Sequence, residues 1–186
     1  MPRCGLVDIL PSSPFPVSCI RDRDADNCLA QTSGNSTCSN TSGFEIQSQS
    51  DLDALGSCST VTGNILIQSV SFDPVTIPSG IQKITGDLRI GQTKGIVTVQ
   101  ATGLQSIGGT FELLNLTALT TVNAPSLTSV GGINFVILPL FATMTLGISQ
   151  AGNVQISDTQ LAALNGLSLS SVGDFDISTQ SIIFPC

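Results

Sequence analysis

A motif that returns every 21 to 23 residues constrains this chain more than any other feature of its sequence. Each copy combines one or two glycines with a short apolar–polar alternation. The first four copies are VTGNILI, ITGDLRI, IGGTFEL and VGGINFV, which begin at residues 61, 84, 107 and 130. Two further copies, AGNVQI and VGDFDI, begin at residues 151 and 172. Repetition at this period predicts a solenoid of stacked coils.

Composition indicates which kind of solenoid this is. Only 10% of the residues are charged, whereas 41% are hydrophobic. Long helices usually need more Glu, Lys, Arg and Ala on their solvent faces, while Ser and Thr beside Ile, Val and Leu suit strands. Each copy also holds roughly three strand-like pieces, which are TFELLN, LTTV and LTSV in the third. We predict a mostly β fold, a right-handed parallel β-helix or leucine-rich-repeat-like solenoid of about six coils of 21–23 residues.

The alternation defines an inward and an outward face of each coil. Apolar positions such as Ile65 and Ile67 point into the core. At Gly131-Gly132 the alternation slips by one residue, which makes Asn134 an outward residue. The outward row is then Leu66, Arg89, Glu112, Asn134, Gln155 and Asp176. We take this row as a candidate binding face, and the simpler interpretation is a solvated sheet surface.

Glycine and a turn-tolerant residue recur at one corner of each coil. Glycine supplies a positive φ at such a corner, and an Asn or Asp side chain satisfies local backbone groups. The Asn and Asp positions are Asn64, Asp87, Asn153 and Asp174. We therefore assign these four side chains to turns.

The first coil differs from the others. Residues 43–58 predict a strand followed by a short helix, with Ser50 as the N-cap and Gly56 as the stop signal. Leu52 and Leu55 would face the core. An atypical, helix-containing unit of this kind caps a solenoid by covering its open edge.

Cysteines and glycosylation sequons favour an oxidising, extracellular location. Cys38 precedes the predicted cap strand and Cys58 follows the cap helix, so we predict a disulfide between them. Three N-glycosylation sequons begin at Asn35, Asn40 and Asn115. Together these features favour a secreted protein.

The repeat does not extend over the whole sequence. We expect residues 1–37 to be an irregular or disordered segment, because prolines and mixed charge are concentrated there, and to derive from an altered gene start. This segment does not have the pattern of a signal peptide. Residues 38–186 are the predicted solenoid domain, and we expect it to be truncated at its C-terminus, because no capping unit follows the last strand.

Charge and residue types exclude several classes of function. The net charge of −7 and the six scattered Lys and Arg residues argue against a nucleic-acid partner. Histidine is absent, which excludes the usual Ser-His-Asp and Cys-His catalytic sites and zinc sites that contain histidine. The most apolar stretch, Ile133–Ile148, is interrupted by polar residues and predicts buried core instead of a transmembrane segment. We expect no catalytic residue, cofactor or metal.

The motifs CSTVTGNILI, LQSIGGTFELLNLTALTTVNAPSLTSVGG and LSLSSVGDFDI give the chain a resemblance to a known family. They are similar to the fungal GPI-anchored cell-wall-organisation proteins related to the sporulation-specific wall protein, which in turn resemble the receptor L domain. The resemblance covers about residues 38 to 184. It implies an extracellular, N-glycosylated protein that is attached to membrane or wall glucan through a GPI remnant and needed for wall integrity. The sequence departs from this pattern, since it contains no signal peptide, Ser/Thr-rich stalk or GPI tail.

The resemblance makes a non-catalytic cell-surface protein the first functional hypothesis. Such a protein contributes to fungal cell wall organisation and integrity. Its expected partners are cell wall polysaccharide or wall proteins, and its expected attachment to membrane or wall needs a GPI tail that this sequence lacks.

Two alternatives follow from the solenoid itself. A carbohydrate-binding or carbohydrate-active β-helix protein is the first, although Asp87 and Asp174 lie about four coils or roughly 20 Å apart, too far for a catalytic pair. An ice-binding solenoid is the second. It needs a regular Thr-x-Thr ladder on a flat face, whereas the outward row is mixed and charged.

Overall fold

Parallel strands wind into stacked coils in the computed structural model, which describes residues 38–162, 164 and 167–178. A coil runs along three sides. Two of these sides join in one ten-stranded sheet, and the third side forms a separate four-stranded sheet. All strand pairs in the described residues are parallel. This arrangement confirms the predicted mostly β solenoid of about six coils.

The strands are short on the third side of the coil and longer where two sides run together. In chain order the elements are β1 (Phe44–Ile46), α1 (Gln49–Ala54), β2 (Thr60–Val61), β3 (Ile65–Gln68), β4 (Val75–Thr76), β5 (Lys83–Ile84), β6 (Leu88–Thr93), β7 (Thr98–Gln100), β8 (Ser106–Leu116), β9 (Thr121–Ala124), β10 (Ser129–Leu138), β11 (Thr143–Leu146), β12 (Ile148–Thr159), β13 (Leu167–Ser171) and β14 (Phe175–Ser178). Strands β4, β7, β9 and β11 form the small sheet, and the other ten strands form the large sheet.

Inward side chains of successive coils stack on one another. Ile65 pairs with Leu88, and Leu88 pairs with Phe111 in the next coil. All three side chains are at most 1% exposed. Because the register keeps equivalent apolar residues in one column, the coils share a continuous core.

The apolar stretch from Ile133 to Ile148 contributes the aromatic part of this core. The ring of Phe135 lies edge-on to Phe111 at 5.2 Å and to Phe141 at 6.0 Å between centroids. All three rings are buried. The prediction of buried core is therefore correct for the inward residues of the stretch, whereas Ile137 and Leu140 are exposed. In the described part of the chain, no helix is long and apolar enough to cross a membrane.

The slip in the repeat is a bulge between β8 and β10. Gly108 and Gly109 follow the paired residue Ile107 of β8, whereas only Gly131 occupies the corresponding place in β10. A side chain at Gly131 would overlap the carbonyl oxygen of Gly108 one coil below. The bend therefore requires close backbone approach, which only glycine permits.

The expectation that glycine supplies a positive φ in each copy is wrong for most copies. Among the described glycines, only Gly43 and Gly63 have a positive φ, of 92° and 122°. A different corner is left-handed in five successive coils, with φ between 52° and 61°. Its residues are Ser69, Gln92, Asn115, Ile137 and Asp158. Asn115 and Asp158 tolerate this conformation, whereas closure of the coil imposes it on Ser69, Gln92 and Ile137, which seldom adopt it.

Helix α1 is present, but Ser48 is its N-cap in place of the predicted Ser50. The carboxylate of Asp51 accepts hydrogen bonds from the backbone N–H of Ser48 at 2.8 Å and from that of Gln47 at 2.9 Å. Asp51 stands three residues after Ser48, the spacing at which a side chain reaches back to the N-cap. Leu52 is buried, as predicted.

A disulfide joins Cys38 and Cys58, as predicted, with Cα atoms 5.6 Å apart. It links the chain before β1 to the chain after α1. That this unit caps the solenoid stays a prediction, as does the predicted domain boundary after residue 37. Residues 1–37 lie outside the described part of the chain.

Candidate functional site

The six residues of the predicted outward row stand side by side across the large sheet. In register they are Leu66, Arg89, Glu112, Asn134, Gln155 and Asp176, and Glu45 of β1 extends the row by one strand. With parallel strands ~4.8 Å apart, the predicted row is about 24 Å long. The alternation therefore placed every member correctly, while the role of the row as a binding face stays a prediction.

Charge and hydrogen bonding differ along this row. Arg89 pairs with Asp87, which immediately precedes β6, with 2.9 Å between Nη2 and Oδ2. Near the middle of the row, Oδ1 of Asn134 is buried and accepts no hydrogen bond from any described residue. A shallow groove of about 230 Å³ borders the first two strands of the row. It is lined by Glu45, Gln47, Leu66, Gln68 and Ser69.

The Asn and Asp residues at the corner connect one coil to the next. Oδ1 of Asn64 accepts a hydrogen bond from the N–H of Asp87 at 2.9 Å. Oδ1 of Asp87 accepts from the N–H of Thr110 at 2.9 Å, and Oδ1 of Asn153 accepts from the N–H of Asp174 at 3.4 Å. Asn64, Asp87 and Asp174 lie between strands, in agreement with the turn assignment, whereas Asn153 lies within β12. The satisfied backbone groups belong to the following coil and are not local. Parallel stacking places each side chain beside the equivalent residue of that coil.

The hydrogen bonds at this corner help to decide whether the acidic residues are candidates for catalysis or metal binding. Asp87 already accepts hydrogen bonds from Thr110 and Arg89. Within residues 38–162, 164 and 167–178, no group of three or more His, Cys, Asp or Glu side chains is placed to hold a metal ion. Asp87 thus has structural contacts that explain its position.

Two of the three sequon asparagines lie in the described range. The Nδ2 group of Asn40 donates to the carbonyl oxygen of Gly43 at 2.6 Å, and its Oδ1 accepts from the N–H of Ser42 at 3.0 Å. Asn115 is exposed at the left-handed corner near the end of β8. Asn35 lies outside the described residues. Of the two described sequon asparagines, Asn115 is therefore the more accessible to a glycosylating enzyme in the folded coil.

The outer face of the small sheet is a second surface, which the sequence analysis missed. It carries the repeated pattern Thr-x-Gln, Thr-x-Asn and Thr-x-Thr at residues 98–100, 121–123 and 143–145. The register pairs these positions, so their side chains form rows across β7, β9 and β11. The recurrence of Thr at 98, 121 and 143 is the sequence pattern from which this surface could have been predicted.

Comparison with known proteins identifies relatives of this chain. Protein ecm33 of Aspergillus fumigatus is 41% identical over 135 residues, which cover 72% of this chain and 34% of that protein. Cell wall protein ecm33 of Schizosaccharomyces pombe is 30% identical over 144 residues, which cover 75% of this chain and 34% of that protein. The chain belongs with the fungal ecm33 proteins.

This relationship confirms the cell wall family that the resemblance indicated, and with it the extracellular, cell wall location. The chain spans about a third of the length of these ecm33 relatives. No family model matches the chain. No solved structure matches it either.

Proposed function

We propose that this chain is a non-catalytic cell-surface protein that contributes to the organisation and integrity of the fungal cell wall. Its relationship to the ecm33 proteins carries the proposal. One of these relatives is named as a cell wall protein, and the solenoid gives the chain broad sheet faces of the kind that bind extended partners.

The contacts of the acidic residues support a role without catalysis. A retaining glycosidase needs two carboxyl groups about 5 Å apart, and an inverting one about 6.5–9.5 Å. Asp87 and Asp174 are members of one corner column, separated by four coils. Asp87 is further engaged by Arg89. The carboxylate of Asp87 stabilises coil stacking through its bond to Thr110.

The expected partners are wall polysaccharide or other wall proteins. The large sheet offers a mixed, charged outward row, whereas the small sheet offers an uncharged face of Thr, Asn and Gln side chains. Different partners would use these surfaces, because charge selects against wrong partners. The disulfide Cys38–Cys58 and the exposed Asn115 fit an extracellular environment.

A segment exchange in fission yeast tests this function. The part of S. pombe ecm33 that matches this chain is replaced by the corresponding part of the chain, and intact cells are digested with β-glucanase. We expect the exchanged protein to give the same digestion rate as native ecm33, and a different rate from cells that lack ecm33. An exchanged protein that reaches the cell surface and still behaves like the deletion would overturn the proposal. A second exchange with Phe111→Asp, which disrupts the core, is the matched control.

A further inference from the structure

The outer face of the small sheet consists of two parallel rows of side chains. Both rows contain only hydroxyl and amide groups, one side chain for each strand. The first row is Thr76, Gln100, Asn123 and Thr145, and the second is Thr98, Thr121 and Thr143. Neighbours within a row are one coil apart, about 4.8 Å in a parallel sheet. The face therefore repeats the same hydrogen-bonding groups at a regular distance.

This face is uncharged on a protein whose net charge is −7. None of its seven side chains ionises. In the outward row of the large sheet, four of seven side chains are charged, and these are Glu45, Arg89, Glu112 and Asp176. A neutral partner meets no unpaired charge on the small sheet, whereas it would have to desolvate charges on the large one. Charge thus favours a neutral partner for the small sheet.

The side chains of this face are available to a partner. Thr121 shares a hydroxyl–hydroxyl contact of 3.3 Å with Thr120. The side chains of Thr98, Gln100 and Asn123 form no hydrogen bond to other residues of the described ranges, and each is partly exposed. Their donors and acceptors are therefore bound to solvent, which a ligand with hydroxyl groups can replace.

At β4, one of its two edges, the same sheet is closed to an added peptide strand. Gln49 of α1 accepts a hydrogen bond from the backbone N–H of Thr76 at 3.0 Å and donates to its carbonyl oxygen at 2.7 Å. These are the groups that strand addition would need. A partner that contacts β4 must therefore lie on the face of the sheet.

We propose that this face binds a neutral β-linked glucan chain laid along the direction in which the coils stack. The inference rests on the proposed function, because it assigns the wall polymer to one surface. A glucan presents hydroxyl groups on every sugar, so each coil can exchange hydrogen bonds with the polymer. The chain has no Trp or Tyr to stack on a sugar ring. Binding is therefore weak for each sugar and grows with the number of sugars.

Ice is another uncharged, hydrogen-bonding surface that such a face could bind. A flat Thr-x-Thr pattern is complete only in β11, at Thr143 and Thr145. Gln100 and Asn123 carry longer amide side chains at the equivalent positions. Amides pair well with sugar hydroxyl groups and interrupt a flat hydroxyl array, which favours the glucan.

The test is sedimentation of the purified 186-residue chain with insoluble β-1,3-glucan particles. A triple variant, Thr98→Val, Thr121→Val and Thr143→Val, removes three hydroxyl groups and keeps β-branched side chains that suit strands. We expect it to bind at least roughly tenfold more weakly than the wild type, since each lost hydrogen bond weakens binding. A matched variant of the large sheet, Arg89→Gln with Glu112→Gln, should bind as the wild type does. Circular dichroism and urea midpoints confirm that both variants are folded.

Each other outcome overturns the inference in an identifiable way. If the large-sheet variant loses binding and the valine variant does not, the polymer uses the outward row. If the wild type does not bind glucan while the segment exchange still supports the wall, this face is not the glucan site and the proposed function stands. If glucan binding is absent and the wild type shows thermal hysteresis that the valine variant loses, the face binds ice.

Discussion

The side-chain Oδ1 of Asn64 accepts a hydrogen bond from the backbone N–H of Asp87, which lies 2.9 Å away in the next coil. Asp87 repeats this contact with the N–H of Thr110, also at 2.9 Å. At this corner, side chains take over the pairing that backbone carbonyl groups provide along the strands. Cohesion between three coils therefore depends on an acceptor at each of these positions.

Replacing Asp87 by Ala should destabilise the fold by about 1–3 kcal/mol, because the N–H of Thr110 loses its partner. Asp87→Asn keeps an acceptor oxygen at the same place, so it should cost clearly less. Urea denaturation followed by circular dichroism gives both free energies of unfolding. Equal losses for the two variants would mean that the ion pair with Arg89, and not the corner hydrogen bond, is responsible.

Removing the disulfide should also destabilise the protein. Cys38 and Cys58 are 20 residues apart in sequence, so their bond restricts a loop of moderate length in the unfolded chain. We expect the double variant Cys38→Ala, Cys58→Ala to lose about 3 kcal/mol of unfolding free energy. Reductant should lower the stability of the wild type towards that of the variant and leave the variant unchanged. A variant as stable as the oxidised wild type would contradict this account.

Exchanging the side-chain types of Ile137 and Asn115, which occupy equivalent left-handed positions, should change stability in opposite directions. Ile137 has a φ of 61° and Asn115 a φ of 53° at the same corner of successive coils. β-Branched residues are strained there and Asn is tolerated. Ile137→Asn should therefore stabilise the protein by about 1 kcal/mol, and Asn115→Ile should destabilise it by a similar amount. Thermal unfolding of unglycosylated protein measures both, and shifts of the same sign would refute the explanation.

The N-cap of α1 should make stability depend on pH. Hydrogen bonds from the backbone N–H of Gln47 and from the hydroxyl and N–H of Ser48 lower the pKa of the Asp51 carboxyl. Its pKa in the folded protein then lies below the unfolded value of about 3.9. The stabilisation is fully present above that value and is lost as the pH falls through the folded pKa. Carboxyl NMR titration measures the pKa, and Asp51→Asn should remove this part of the acid dependence.

Glycosylation should distinguish the two described sequons. The Nδ2 group of Asn40 is engaged with Gly43, whereas Asn115 is exposed at a corner. We expect peptide mass mapping of the protein from a fungal secretion host to find higher glycan occupancy at Asn115 than at Asn40. Asn115→Gln provides the control, since it should remove that glycan without changing the fold. Higher occupancy at Asn40 would show that its hydrogen bonds form only after glycan transfer.

Periodicity predicted the solenoid, the slip at Gly131 and the outward row, because a strand with one buried face allows a single register. The N-cap was misplaced because both Ser48 and Ser50 suit that position, and only the reach of Asp51 decides between them. The left-handed corner escaped prediction because closure of the coil, and not the local preference of a residue such as Ile137, sets its conformation. The small-sheet rows were missed because strands of two to four residues show no alternation until the coils are aligned.

The disulfide has a mechanical consequence. Hydrogen bonds between the coils point along the direction in which the coils stack. A force pulling in that direction therefore breaks these bonds one coil at a time. Cys38 and Cys58 enclose 20 residue steps, which correspond to roughly 70 Å of extended chain. A molecule under tension would therefore lengthen as its unlinked coils unwind, while the disulfide prevents residues 38–58 from extending.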